Sequence, residues 1–202
     1  MEYLVTMTTQ VPEGTSDEAV EQVRTREAGR SRELAAQQHL RRLWRPPLRP
    51  GEWRTLGLFA ASGNDQLEEV LASMPLRVWR RDEVTPLAPH QNDPGQPPRP
   101  GAAEFLTTFT ITIPAGTPDQ AVADAEAAEA DRAGELAGQG HLLRLWKLPG
   151  HGRTLGLWQA SDQAELRAIV ASLPLTPWMT TEITPLSAHP SDPARLAGNG
   201  KS

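Results

Sequence analysis

Apolar and polar residues alternate along 3–11 (YLVTMTTQV) and again along 105–113 (FLTTFTITI), the two-residue period of a half-buried β-strand, and a Pro-x-Gly closes each run. The period then lengthens. Val20, Val23 and Leu34, with positions 27 and 30 between them, recur at steps of three and four, as do Val122, Ala125 and Leu136 with positions 129 and 132. This predicts one long helix per stretch, running to about Gln37 and Gln139. Thr15-Ser-Asp-Glu18 and Thr117-Pro-Asp-Gln120 read as capping boxes at the helix starts, the second with proline at the first helical position. Residues 40–45 and 142–147 predict a second strand, a Pro/Gly loop intervenes, and 54–61 and 153–160 predict a third. A short helix begins near Ser62 or Ser161, stops before Pro75 or Pro174, and leads to a last strand ending at Thr-Pro-Leu. The order is βαββαβ, a ferredoxin-like α+β plan, and it occurs twice.

The two halves share residues as well as pattern. QHLRRLWR at 38–45 returns as GHLLRLWK at 140–147, RTLGLFAAS at 54–62 as RTLGLWQAS, ASMPLRVW at 72–79 as ASLPLTPW, and EVTPLAPHQNDP at 83–94 as EITPLSAHPSDP. The copies align from 2–94 to 104–193 with a single gap after Arg45 and Lys147, and about half of the aligned positions are identical. Domain copies at 1–94 and 104–193 are expected, with a Pro/Gly-rich linker at 95–103 and a loose tail at 194–202. A four-stranded open sheet with helices on one face needs cover on the other. In a duplicated chain the second sheet can supply it, so the two repeats are expected to pack face to face as an intrachain dimeric α+β barrel enclosing space.

Charge narrows the partners. The formal net charge is −5, and neither copy is basic: 12 Arg face 14 acids in 2–94, and 7 Arg and Lys face 11 acids in 103–202. Nucleic acid and anionic membranes are therefore not expected partners. With no cysteine there is no disulfide framework, thiolate metal site or thiol nucleophile. No signal pattern opens the chain and no apolar run reaches the eighteen or so residues of a membrane span, so a cytoplasmic protein is expected.

The helical stripe carries the first candidate chemistry. Positions 27 and 30 are Glu and Arg, and Glu129 and Arg132 repeat them, on a face that is otherwise apolar. A charge there is costly unless paired or used. One reading is an i, i+3 ion pair; the other is a desolvated carboxylate whose raised pKa suits it to move protons. Further polar groups kept in both copies are His39 and His141 at the helix exit, Arg42 and Arg144, Arg45 and Lys147, Arg54 and Arg153, and His90 and His189. Arginines facing an enclosed space would bind a carboxylate and stabilise developing negative charge. The tryptophans Trp44 and Trp146, and Trp79 and Trp178, fit a core or a pocket wall. Histidines lack metal-ligand spacing, and neither a phosphate loop nor a G-x-S-x-G turn is present. These absences favour cofactor-free acid/base chemistry or plain binding.

Taken together, Glu27 and Glu129, the Glu-Leu pairs at 33–34 and 135–136, the Arg-Leu-Trp-Arg/Lys strand at 42–45 and 144–147, the PL-x-x-W segments at 75–79 and 174–178 and the closing TPL-x-x-H at 85–90 and 184–189 resemble the muconolactone delta-isomerase family. The resemblance spans nearly all of both repeats. It implies dimeric barrels that assemble further, a place in aromatic catabolism through the β-ketoadipate pathway, and no cofactor. It also implies conversion of (S)-muconolactone to 3-oxoadipate enol-lactone, with Glu27 and Glu129 as proton-transfer bases. His39, Arg42, Arg45, His141, Arg144 and Lys147 are then candidates for holding the lactone carboxylate or the enolate oxygen. The family usually has one domain per chain, so one tandem chain can stand in for a dimer; a homo-oligomer of such pseudo-dimers is left open. A related lactone isomerase or dehalogenase, or a non-catalytic small-molecule-binding barrel, are the alternatives. Glutamates facing solvent beside a purely apolar cavity would favour binding.

Overall fold

The computed structural model describes residues 1–99 and 101–198. Its elements are β1 (Glu2–Thr9), α1 (Asp17–Ala36), β2 (Leu40–Arg45), β3 (Arg54–Ala60), α2 (Asn64–Ala72) and β4 (Arg80–Pro89). They recur as β5 (Ala103–Ile111), α3 (Asp119–Gly138), β6 (Leu142–Lys147), β7 (Arg153–Ala160), α4 (Gln163–Ala171) and β8 (Met179–Ala188), followed by α5 (Pro193–Gly198). The described residues thus form a mixed α+β fold with eight antiparallel strands and five α-helices. No helix among them is long and apolar enough to cross a membrane.

The chain divides into two compact units, one of Met1–Leu87 with the segment that begins at Ser187, the other of Ala88–Leu186. In the first, β1 lies between β4 and β3, and β3 carries β2 on its other side. The remaining edge of β2 pairs through Trp44 and Arg45 with Ala188 and Ser187. The second unit repeats the order β8, β5, β7, β6, and Ala88 and Pro89 pair with Lys147 and Trp146 on β6. Each unit therefore contains the closing segment of the other repeat. Exposed strand edges recruit whatever backbone can pair with them, and here the tail of the other half does so.

The cores follow the strand period. Tyr3, Val5 and Met7 point inward from β1 and pack with Leu34, Leu40, Phe59 and Leu67; Phe105 and Phe109 pack with Leu136, Leu142, Trp158 and Leu166. Gly57 and Gly156 leave room for the rings of Phe59 and Trp158, which a Cβ at either position would overlap.

Four local expectations are corrected. Ser16, rather than Thr15, caps α1, accepting from the Ala19 N–H. Pro118 stands at the cap of α3 and not inside it. The threonine hydroxyls are used instead to close the preceding turns, donating at 2.7 Å to the carbonyls of Pro12 and Pro114. A turn of 3₁₀ helix at Pro75–Trp79 and Thr176–Trp178 precedes each last strand, because proline's fixed φ fits the start of a helical turn, where its missing N–H costs no bond. Finally, α5 occupies part of the expected loose tail; residues 199–202 of that tail, and Pro100 of the linker, lie outside the described residues. The rest of the linker is pinned to the second unit, with Gln96 donating to the Leu143 carbonyl and Arg99 exchanging backbone bonds with the Gln159 side chain.

Candidate functional site

Glu27 projects from the middle of α1 into a cavity of about 320 Å³ within the first unit. Its Oε2 accepts the Leu76 N–H at 2.8 Å, and its Oε1 accepts from Arg80 Nη1 at 3.2 Å. Arg80 and Asp82 lie two apart on β4 and so share a face. The guanidinium donates to both Asp82 oxygens, at 2.6 and 3.0 Å. Side-chain exposure is 2 % for Arg80 and for Asp82 and 12 % for Glu27, so this charged chain is removed from water. Burial pushes the Glu27 carboxyl above its ordinary value; the Leu76 N–H and Arg80 pull against that rise, and Asp82 adds to it.

Arg24, Arg32, Arg45 and Trp53 also line this cavity, with the Arg24 guanidinium 5.5 Å above the Trp53 ring. Part of the wall comes from His189 to Ser191, the tail of the second repeat. His189 Nδ1 accepts the Ser191 N–H at 3.1 Å, which leaves the ring proton on Nε2 as a donor. Burial, aided by Arg45 and Arg24 against the opposing Asp192, lowers its pKa to about 4, so the ring is neutral at pH 7.

The second unit holds a cavity of about 140 Å³ around Glu129. Glu129 Oε2 accepts the Leu175 N–H at 2.9 Å, and its Oε1 accepts no hydrogen bond among the described residues. Burial raises this carboxyl too, opposed by the Leu175 N–H. Met179 occupies the position of Arg80, Phe109 that of Met7, Ile111 that of Thr9, and Glu126 that of Arg24. Trp158 closes the wall, donating to Thr107 Oγ1 at 2.8 Å and meeting Phe109 edge-on with ring centroids 6.2 Å apart. His90 lies at this cavity with its Nδ1 accepting from the Asn92 N–H; burial and Lys147 lower its pKa, against Asp93.

Of the residues singled out in the sequence, Glu27, Arg45 and His189 come together at the first cavity, and Glu129 and His90 at the second. Arg42 and Arg144 stand outside both linings. Each lies over a tryptophan, Trp44 or Trp146, at 4.7 and 4.6 Å, and each holds a tail carboxylate: Asp192 at 3.1 Å and Asp93 at 3.1 Å. The same carboxylates accept the Leu43 and Leu145 N–H groups. His39 and His141 are likewise outside the linings and tie helix exits to strands, with Nδ1 3.0 Å from the carbonyls of Ala60 and Gln159. Lys147 is not a lining residue, although its charge reaches His90. Arg30 and Arg132 do not pair with the stripe glutamates; they bond Glu33 and Glu135, each at 2.7 Å, and the serines Ser73 and Ser172. Arg80, Asp82, Arg24 and Trp53 escaped the sequence reading because it sought residues retained in both copies, and these four are not. The Arg-x-Asp of 80–82 against Met-x-Thr of 179–181 was the available signal.

A model of the muconolactone delta-isomerase family matches residues 1–93 and again 103–192. The muconolactone Delta-isomerase of Cupriavidus pinatubonensis is 28% identical over 87 residues, which make up 43% of this chain and 95% of that protein. Muconolactone Delta-isomerase 1 of Acinetobacter lwoffii is 30% identical over 87 residues, 43% of this chain and 91% of that protein. Each of these relatives has the length of one repeat. Across both repeats, a heme-binding protein from Thermus thermophilus superimposes with a TM-score of 0.62 at 13% identity, covering 99% of this chain and 96% of that one. That second likeness is one of fold.

Proposed function

The chain belongs to the muconolactone delta-isomerase family, and from that premise we propose that it is a cofactor-independent isomerase shifting the double bond of (S)-muconolactone to give 3-oxoadipate enol-lactone. The observation that carries this reading is a desolvated glutamate, its pKa raised by burial, facing a cavity lined by several guanidinium groups. Glu27 removes the γ proton of the lactone and returns a proton at the α carbon, so the base is regenerated and nothing else is consumed. Between the two transfers, charge rests on the lactone carbonyl oxygen as a dienolate. The neutral His189, with its proton on Nε2, is the donor for that oxygen. Arg45, with Arg24 beside it, holds the substrate carboxylate. Arg80 and the Leu76 N–H fix the Glu27 carboxylate while each oxygen keeps a lone pair for the proton.

The same reading takes the two repeats as the counterpart of a family dimer, packed as an intrachain barrel. The exchange of closing segments between repeats supports it. The test is an ultraviolet assay with (S)-muconolactone, coupled to an enol-lactone hydrolase, on wild type and Glu27→Gln. Glutamine keeps size and accepts no proton, so turnover should fall by about 10²–10⁴-fold. Undiminished turnover in Glu27→Gln would exclude Glu27 as the base.

A further inference from the structure

The two cavities share a glutamate and differ in nearly everything around it. The first is lined by Arg24, Arg32, Arg45 and Arg80 against Glu21 and Glu27, an excess of cations. The second is lined by Glu126 and Glu129 and by no arginine or lysine among the described residues. Its volume of about 140 Å³ is less than half the 320 Å³ of the first. Ile111 and Met179 make its walls apolar where the first cavity has Thr9 and Arg80, and Phe109 and Trp158 extend the apolar wall. A carboxylate entering there would meet two other carboxylates with no lining cation to pair with, the arrangement least able to repay its lost hydration.

We infer that the cavity around Glu129 is a separate site for a small uncharged ring compound, such as an unsaturated lactone without an acidic arm, and that the anionic lactone uses the Glu27 cavity alone. The second half of this statement rests on the function proposed above; the first half does not. Apolar walls and a tight volume favour a compact, uncharged ring. The Oε1 of Glu129 faces it unencumbered by a guanidinium, and Met179 supplies a polarizable wall where Arg80 would otherwise have demanded an anion.

Titration calorimetry on the intact chain separates the possibilities, using (S)-muconolactone and γ-methyl-butenolide, in which a methyl group replaces the acidic arm. The expected result is one muconolactone per chain, with methyl-butenolide binding unchanged, within about twofold, on chain already saturated with muconolactone. Ala133→Trp, which fills the second cavity, should weaken methyl-butenolide by about tenfold or more. Met179→Arg should do the same and add a second muconolactone per chain. Two equal muconolactone sites in the wild type would overturn the inference. So would competition between the two ligands, no methyl-butenolide binding at about 1 mM, or binding indifferent to both substitutions. Methyl-butenolide that binds in an Ala133→Trp-sensitive manner to a chain that neither binds nor converts muconolactone would support the uncharged-ring site while removing the isomerase reading.

Discussion

Glu27 and Glu129 occupy equivalent helix positions, accept the same backbone N–H, and ionise against different surroundings. Both carboxyls are raised by burial, but only Glu27 has a guanidinium in contact. For an acid raised in the folded state, the native chain binds more protons than the unfolded chain between the ordinary and the raised value. Stability therefore falls as pH rises through that window, and the ionised form is a cost at neutral pH. Glu129→Gln removes this cost and keeps the Leu175 bond through its amide oxygen. Thermal melts should show the variant above wild type at pH 7, by about 2–4 °C per kcal/mol relieved, with the gap closing below about pH 4. A wild type more stable than Glu129→Gln at pH 7 would contradict the direction. Glu27→Gln should show no such gain, because it leaves Arg80 with Asp82 alone. The glutamates were legible in the sequence as charges on an apolar stripe. Arg80 was not, since only three-dimensional pairing brings a β4 residue to the α1 carboxylate, and its absence from the second copy hid it from a search for shared residues.

Both long helices end in the same backbone motif, and one of them ends in it under strain. His39 N–H bonds the Leu34 carbonyl and Gln38 N–H that of Ala35; His141 and Gly140 repeat this with Leu136 and Ala137. The residue in the left-handed conformation is Gln38 at φ 64° in the first copy and Gly140 at φ 75° in the second. A side chain in that conformation costs about 1 kcal/mol, a cost glycine escapes. Gln38→Gly should therefore raise the melting temperature by about 2–4 °C, and a neutral or lower value would show that Gln38 is held by something other than the motif. The reverse exchange, Gly140→Gln, would also collide with the Arg99 side chain beside it. Strands and long helices were readable because their periods of two and 3.6 are set by burial on one face. The caps, the 3₁₀ turns and α5 were missed or displaced because several hydroxyls and prolines compete for each turn, and the choice depends on neighbours far along the chain.

The exchange of closing segments sets the behaviour of the whole chain. In the first unit Asp192 is 1 % exposed, grips Arg42 with both oxygens and accepts the Leu43 N–H. Asp192→Ala should leave Arg42 buried without that partner, costing about 3–5 kcal/mol and lowering the melting temperature on the order of 10 °C. It should also reduce muconolactone turnover, because the Asp192 carboxylate, through Arg42 and the Leu43 N–H, anchors the segment whose His189 to Ser191 line that side of the cavity. A change of less than about 1 kcal/mol in a calorimetric melt would show the segment to be held by its strand pairing alone. The composition of the units has a consequence for inheritance. In an assembly of identical chains every substitution appears in all sites at once, and a mixture of two unlike chains yields like pairs beside unlike ones. A single reading frame that carries both halves fixes the unlike pair at one to one. Yet it does not make the halves independent, since His189 and Asp192, encoded with the second repeat, lie in the first unit, His189 in the wall of its cavity. Substitutions in the closing segment of the second repeat are edits to the pocket of the first unit.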